Sequence, residues 1–274
     1  MEWNGRANPK SQVIVSDGNR LLAGEPESGD EAYLLAKNLI GIAATISNPD
    51  RLAGGEWAIK NLGTEVFVLD DGFQHLRLTR DLDIVTIDAT NPWGGGHLLP
   101  YGRLREPRAG LSRADCLVIT RTEQVEDLVP IKDAIRRLAG AVPVFSSRMV
   151  TSGIRRLDGQ SVDKENLLAQ PVAAFCGVGN PESFFNHLRR EGYTPAFTRT
   201  FADHYDYTQP DITRLVNDAK ASGATGLLTT AKDAIKLSTF ELALPCHVLD
   251  IQISIDDDDR LIEMIRNACR NRER

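Results

Sequence analysis

No run of about 18 or more apolar residues occurs in this 274-residue chain, so no segment reads as a membrane span. Its opening, Met1-Glu2-Trp3-Asn4-Gly5-Arg6, has neither the apolar core of a signal peptide nor the look of an anchor. A basic excess is missing too. The 32 Lys and Arg against 38 Asp and Glu leave a net charge of −6, which argues against a nucleic-acid partner while leaving room for an anionic lipid at a local basic patch. The four cysteines, at 116, 176, 246 and 269, form no Cys-x-x-Cys pair for zinc or redox work. Reduced, buried thiols are therefore expected. Heptads, internal repeats and low-complexity tracts are absent, and so is any Gly-x-x-x-x-Gly-Lys-Ser/Thr loop.

What is present suits one large or two modest domains, with 42% hydrophobic residues to build a core. The chain is organised around Val66-Phe67-Val68-Leu69-Asp70-Asp71-Gly72-Phe73-Gln74-His75. Four apolar residues before a turn-forming group read as a buried parallel strand, at whose carboxyl end α/β folds bind ligands. An apolar strand ending in two acids is also how a Mg²⁺-holding element of a phosphoryl-transfer site is built. The same residues equally fit a strand closed by an Asp-Asp-Gly turn.

Along the chain, residues 1–12 are polar and irregular, with no opening strand or phosphate-binding turn, so the first domain is expected to be N-terminally incomplete. Residues 13–23 suggest a hairpin, Glu31 to Leu39 a short helix capped by Asp30, Ile40 to Ile46 a buried strand, and Asp50 to Leu62 a helix. Strands at 83–88, 116–120 and 142–145 and a helix at 125–138 complete a first α/β domain over 1–150. Residues 151–170 lose the pattern and are assigned as a linker, and a second α/β domain follows over 171–274. Gly177-Val178-Gly179-Asn180-Pro181 has no third glycine at the dinucleotide spacing and reads as a structural tight turn.

Five stretches occur in an order that resembles the tetraacyldisaccharide 4′-kinases, the lipid A 4′-kinases of Gram-negative bacteria. They are Gly29-Asp30-Glu31, Asp70-Asp71-Gly72-Phe73-Gln74-His75, Leu104-Arg105-Glu106-Pro107, Asp203-His204 and Thr230-Ala231-Lys232-Asp233-Ala234. The likeness spans nearly the whole chain, except that the family's Gly-rich phosphate loop has no counterpart here. It implies two Rossmann-like α/β domains of the P-loop-kinase type joined by an irregular hinge. It also implies transfer of the ATP γ-phosphate to the 4′-hydroxyl of an acylated glucosamine disaccharide 1-phosphate, at the cytoplasmic face of the inner membrane. The missing loop leaves a competing expectation, a catalytically impaired remnant that binds substrate or metal. No feature of the pattern specifies an oligomeric state.

The resemblance also implies roles. Asp30 is the catalytic aspartate and pairs with His204, either of which accepts the proton, and Arg105 meets the transferring phosphoryl group. On the domain division above the pair lies apart, so hinge closure is expected to assemble it. Asp71 is the expected Mg²⁺ ligand, with Asp70 in support and Glu106 completing the shell. Gln74 contacts nucleotide, His75 meets nucleotide or substrate or else bonds a neighbouring backbone carbonyl, and Arg51 meets a phosphate of the acceptor or forms an ordinary helix-start salt bridge. Lys232 and Asp233 match the family pattern without an assigned step.

Overall fold

The computed structural model describes residues 11–237 and 239–270. The irregular opening and the Met1–Arg6 stretch discussed above thus lie wholly or largely outside the described residues. In chain order the elements are β1 (Val13–Ser16), α1 (Glu25–Ser28), α2 (Asp30–Asn38), β2 (Thr45–Ser47), α3 (Arg51–Leu62), β3 (Ile84–Asp88), β4 (Cys116–Thr120), α4 (Val129–Ala139) and β5 (Val144–Arg156). They continue with α5 (Lys164–Leu168), β6 (Val172–Cys176), α6 (Pro181–Arg190), β7 (Phe197–Thr200), α7 (Gln209–Ala221), β8 (Gly226–Thr230), α8 (Ala231–Leu237), β9 (Cys246–Ile255) and α9 (Asp258–Arg270). The chain is an α/β protein that divides into two compact units, Met1–Phe67 with Thr151–Asp250, and Val68–Val150 with Ile251–Arg274. This grouping cuts across the sequence-based division at 151–170, because each unit is assembled from two separate stretches.

In the first unit, β8, β6 and β7 run parallel, with β8 also parallel to the opening of β9. All five residues of β6 are buried, which explains its unbroken apolar sequence: a parallel strand covered on both faces has no solvent side to mark with polar residues. Ile212, Leu215, Val216 and Ala219 on one face of α7 close over Phe175 and Leu227. Thr208 and Asp211 form a reciprocal capping box that starts α7. A separate antiparallel pair, β1 with β2, lies in the same unit.

In the second unit, β3, β4 and β5 are parallel. Alternation along β4 sends Leu117 and Ile119 to a core with Ile131 and Ile135 of α4, while Cys116 and Val118 meet Phe145 and Leu261 of α9. A helix therefore covers each face of these strands.

Three expectations are corrected. Val66 to Leu69 is not a strand; Val66 is 58% and Val68 94% exposed, and the run joins no ladder. A short apolar run specifies a strand only when partners are available to bury it. From Ile40 to Ile46 only the end is extended, since Leu39 to Ile42 form a turn held by Ile42 N and Ala43 N donating to the Leu39 carbonyl. Residues 151–156, assigned to the linker, continue β5, where exposed Ser152 and Arg156 stand among half-buried residues and a buried Ile154. The 13–23 hairpin holds in part. Leu22 N donates to the Val15 carbonyl, but the ladder partner of β1 is β2.

Candidate active site

The first unit gathers charged side chains from α2, the loop after β7, and α8. Gly29, at φ +84, ends α1 and precedes α2, a backbone region that glycine enters without steric cost. Asp30 follows as the first helical residue. The expected side-chain cap is not formed, since Gly29 holds the cap position and the Asp30 carboxylate accepts from Glu31 N at 3.0 Å. Asp30 is 2% exposed, and its charge lies at the positive end of the helix dipole.

His204 Nδ1 lies 3.0 and 3.1 Å from Asp30 Oδ1 and Oδ2. The two residues belong to the same compact unit and are bonded as they stand, so the expectation of a pair split between domains and joined by hinge closure is corrected. His204 adopts φ +58, and Asp203 Oδ1 accepts from its backbone N–H at 3.1 Å. Its other ring nitrogen, Nε2, lies 3.3 Å from Lys232 Nζ and 3.8 Å from both Glu31 Oε1 and Asp203 Oδ2. Lys232 also donates to Glu31 Oε1 and Asp203 Oδ1, each at 3.2 Å. Burial works against the Lys232 ammonium, but Asp30 and Glu31, with the hydrogen bonds to Glu31 and Asp203, outweigh it and hold its pKa above the ordinary lysine value.

One turn along α8, Lys236 Nζ lies 3.5 Å from Asp30 Oδ2 and donates to the Tyr205 carbonyl at 3.3 Å. Glu25 stands nearby; burial raises its pKa, partly offset by Lys236. Asp233 is 3% exposed and accepts from Gly177 N at 3.0 Å, the Tyr207 hydroxyl at 2.8 Å and the Thr230 hydroxyl at 2.7 Å. It thus ties α8 to the turn after β6 and to the loop that carries His204. A Cβ at Gly177 would meet Asp233 Oδ1 at 3.0 Å and the Ala202 carbonyl at 3.1 Å, so the glycine serves close approach, as a structural turn requires. Burial and Asp233 push the Cys176 and Cys246 thiols up to about 12. Cys116 is also buried, while Cys269 is exposed.

Arg51 opens α3 in the same unit. Its guanidinium donates to the Asn48 carbonyl, while Asp50 caps the helix by accepting from Leu52 N and Ala53 N at 3.1 Å.

The second unit carries the other candidates. Asp70 and Asp71 sit in a turn rather than at a strand end, and Asp71 adopts φ +54 before the single-turn helix Gly72–Gln74. Arg105 Nη1 donates to Asp71 Oδ2 at 2.9 Å. Glu106 receives Arg113 Nη2 at 2.9 and 2.8 Å and Gln74 Nε2 at 2.9 Å, while the Arg113 guanidinium lies 4.5 Å over the Phe73 ring. The turn at 71–75 and the arginine-rich segment at 105–113 are thereby joined. The His75 carbonyl accepts from Arg80 Nη1 at 2.7 Å. Asp71 and Glu106 each end in a guanidinium pair, and among the described residues no three His, Cys, Asp or Glu converge as a metal cluster.

Sequence reasoning did not assign Lys232, Asp233 or Lys236. The available signal was the i, i+4 spacing of the two lysines, which puts them on one face of a helix.

A family model described as tetraacyldisaccharide-1-P 4′-kinase matches residues 5–270. A tetraacyldisaccharide 4′-kinase of Desulfotalea psychrophila is 36% identical over 263 residues, covering 93% of this chain and 73% of that protein. One from Geobacter metallireducens is 41% identical over 225 residues, covering 82% of this chain and 64% of that protein. Among solved structures, the "apo" form of LpxK from Aquifex aeolicus in complex with ATP superposes with a TM-score of 0.71 at 31% identity, covering 96% of this chain and 76% of that one.

Proposed function

Because the chain belongs to the tetraacyldisaccharide-1-P 4′-kinase family, we propose that it transfers the ATP γ-phosphoryl group to the 4′-hydroxyl of the acylated glucosamine disaccharide 1-phosphate, a step of lipid A biosynthesis. The observation that carries this reading within the chain is the bond between Asp30 and His204. An attacking sugar hydroxyl forms its O–P bond as the γ-phosphorus parts from the bridging oxygen of ADP, and it must shed a proton. A histidine whose Nδ1 is turned to a carboxylate presents Nε2 for that proton. The complex of the Aquifex protein with ATP supports ATP as the donor.

In this reading the turn at 70–75 and the arginine-rich segment carry the groups that would meet phosphate. Arg105 has the planar fork that matches phosphate oxygens, and its exposed pair with Asp71 is worth only about 0–1 kcal/mol, so it exchanges partners at little cost. The carboxylates of Asp70, Asp71 and Glu106 are the hard oxygen donors that Mg²⁺ prefers, and they would hold it in this reading. Bound there, the ion neutralises charge on the phosphates. Gln74 and His75 then face the nucleotide, and Arg51 a phosphate of the acceptor.

An acylated acceptor places the reaction at a membrane surface, in this reading the cytoplasmic face of a Gram-negative inner membrane. Exposed apolar side chains such as Val68, at 94%, and Leu76, at 69%, suit that setting. Among the described residues no helix is long and apolar enough to cross a membrane. The test is transfer of labelled γ-phosphate from ATP to the disaccharide acceptor, with the product's 4′ position identified by mass spectrometry. Label on any other hydroxyl, or transfer unaffected by Asp30→Asn, would overturn the reading.

A further inference from the structure

The His204 imidazole is surrounded by negative charge. Asp30 holds Nδ1 at 3.0 Å, and Glu31 and Asp203 each bring an oxygen to 3.8 Å from Nε2. The Glu31 and Asp203 oxygens are acceptors, so by themselves they would draw the ring proton to Nε2, the atom that the proposed reaction needs bare. The only ammonium within hydrogen-bonding distance of that ring among the described residues is Lys232, 3.3 Å from Nε2. A lysine ammonium has donors and no acceptor, so in that contact Nε2 must be the accepting nitrogen. The ring proton then sits on Nδ1, facing Asp30.

From this geometry we propose that Lys232 is a positioning residue that keeps a lone pair rather than a proton on His204 Nε2, the atom that takes the hydroxyl proton once substrate displaces the ammonium. The assignment rests on the reading of Asp30 and His204 as the proton-accepting pair. Two further contacts fit it. Lys232 bonds Glu31 and Asp203 at 3.2 Å, the same carboxylates that crowd Nε2, so it offsets their charge where it matters. Those bonds also retain the ammonium when a substrate hydroxyl takes its place at Nε2. Lys236 completes the surroundings from the same helix, 3.5 Å from Asp30, with Asp206 and Glu25 as the remaining charged groups near it.

The test uses the full chain carrying ¹⁵N-labelled histidine, with the His204 ring signals assigned through His204→Gln. In Lys232→Met, the ratio of imidazolium to imidazole at a given pH should rise about tenfold over the unsubstituted protein, a shift of one unit in the titration. Lys232→Arg should restore it. The His247 ring, bonded to the Leu227 carbonyl, reports whether the fold is intact. In phosphate transfer, the acidic limb of the kcat/KM profile should move up by the same unit, so that Lys232→Met regains activity as pH rises. An unchanged His204 titration in Lys232→Met with intact His247 signals would overturn the proposal, as would a loss of activity equal at every pH. If no variant or parent transfers phosphate while the ring titration shifts as stated, the reaction assigned above fails and the role of Lys232 in holding the imidazole stands.

Discussion

His204 and Asp71 are two of the four non-glycine residues with positive φ among the described residues, the others being Arg121 and Asp257. A side chain in that region costs on the order of 1–3 kcal/mol, which the surroundings must offset. For His204 the offset is visible in the Asp30 and Lys232 contacts and in the Asp203 carboxylate on its own N–H. Groups that act as a unit lose function together. Asp30→Ala and His204→Ala should each lower phosphate transfer about 10²–10⁴-fold, and the double variant should fall little further. Steady-state kinetics on the three variants decide this, since multiplied losses would mean independent roles. Gly177→Ala makes a different kind of prediction. Its new methyl meets Asp233, Ala202 and Tyr207 at 3.0–3.2 Å, so urea denaturation should show about 1–3 kcal/mol of lost stability. The pairing of positions 30 and 204 follows from no local pattern. It was legible only because both lie in motifs of a family resemblance.

Among the elements, β4 was readable because it is a compact apolar run, and all but its last residue are buried. Val66 to Leu69 shows the same pattern and lies exposed, because burial depends on partners that a run does not encode. β5 was read only at its start, from 142 to 145. Ser146, Ser147 and Arg148 hide a strand whose pairing partners lie elsewhere in the chain. The Asp30 cap was misread for a physical reason, since an aspartate at a helix start can spend its carboxylate on the free N–H groups, as Asp50 does, or share it with a distant partner, as Asp30 does between Glu31 N and His204. Asp50→Ala should therefore cost about 1 kcal/mol of stability with little change in turnover, whereas Asp30→Ala should show the reverse emphasis. Paired denaturation and activity measurements separate the two.

For the molecule as a whole, alkali is the sensitive direction. Burial pushes Cys116 up to about 11, and Tyr193, Cys176 and Cys246 up to about 12. Tyr207 is raised as well, chiefly by burial with Asp233 adding. Each group has a folded value above its unfolded one, 9.0 for the thiols and 10.0 for the phenols. The unfolded chain therefore releases these protons first, so the stability they confer is complete below about pH 9 and drains away as pH climbs toward 12. Four of the five lie in the first unit. Denaturant midpoints at pH 8, 10 and 11 should fall progressively, and tryptophan or NMR probes should show the first unit yielding before the second.

The division of the chain bears on its synthesis. A ribosome that has just added Val150 has finished neither unit, because the first still lacks Thr151–Asp250 and the second lacks Ile251–Arg274. Proteins emerge at about 5–20 residues per second, so strands β3 and β4 wait several seconds before α9 appears. Until then Cys116 and Val118 have no Leu261 to cover them. The nascent chain must carry an uncovered apolar sheet face through about half of its translation, which makes it a natural client for a chaperone at the ribosomal exit.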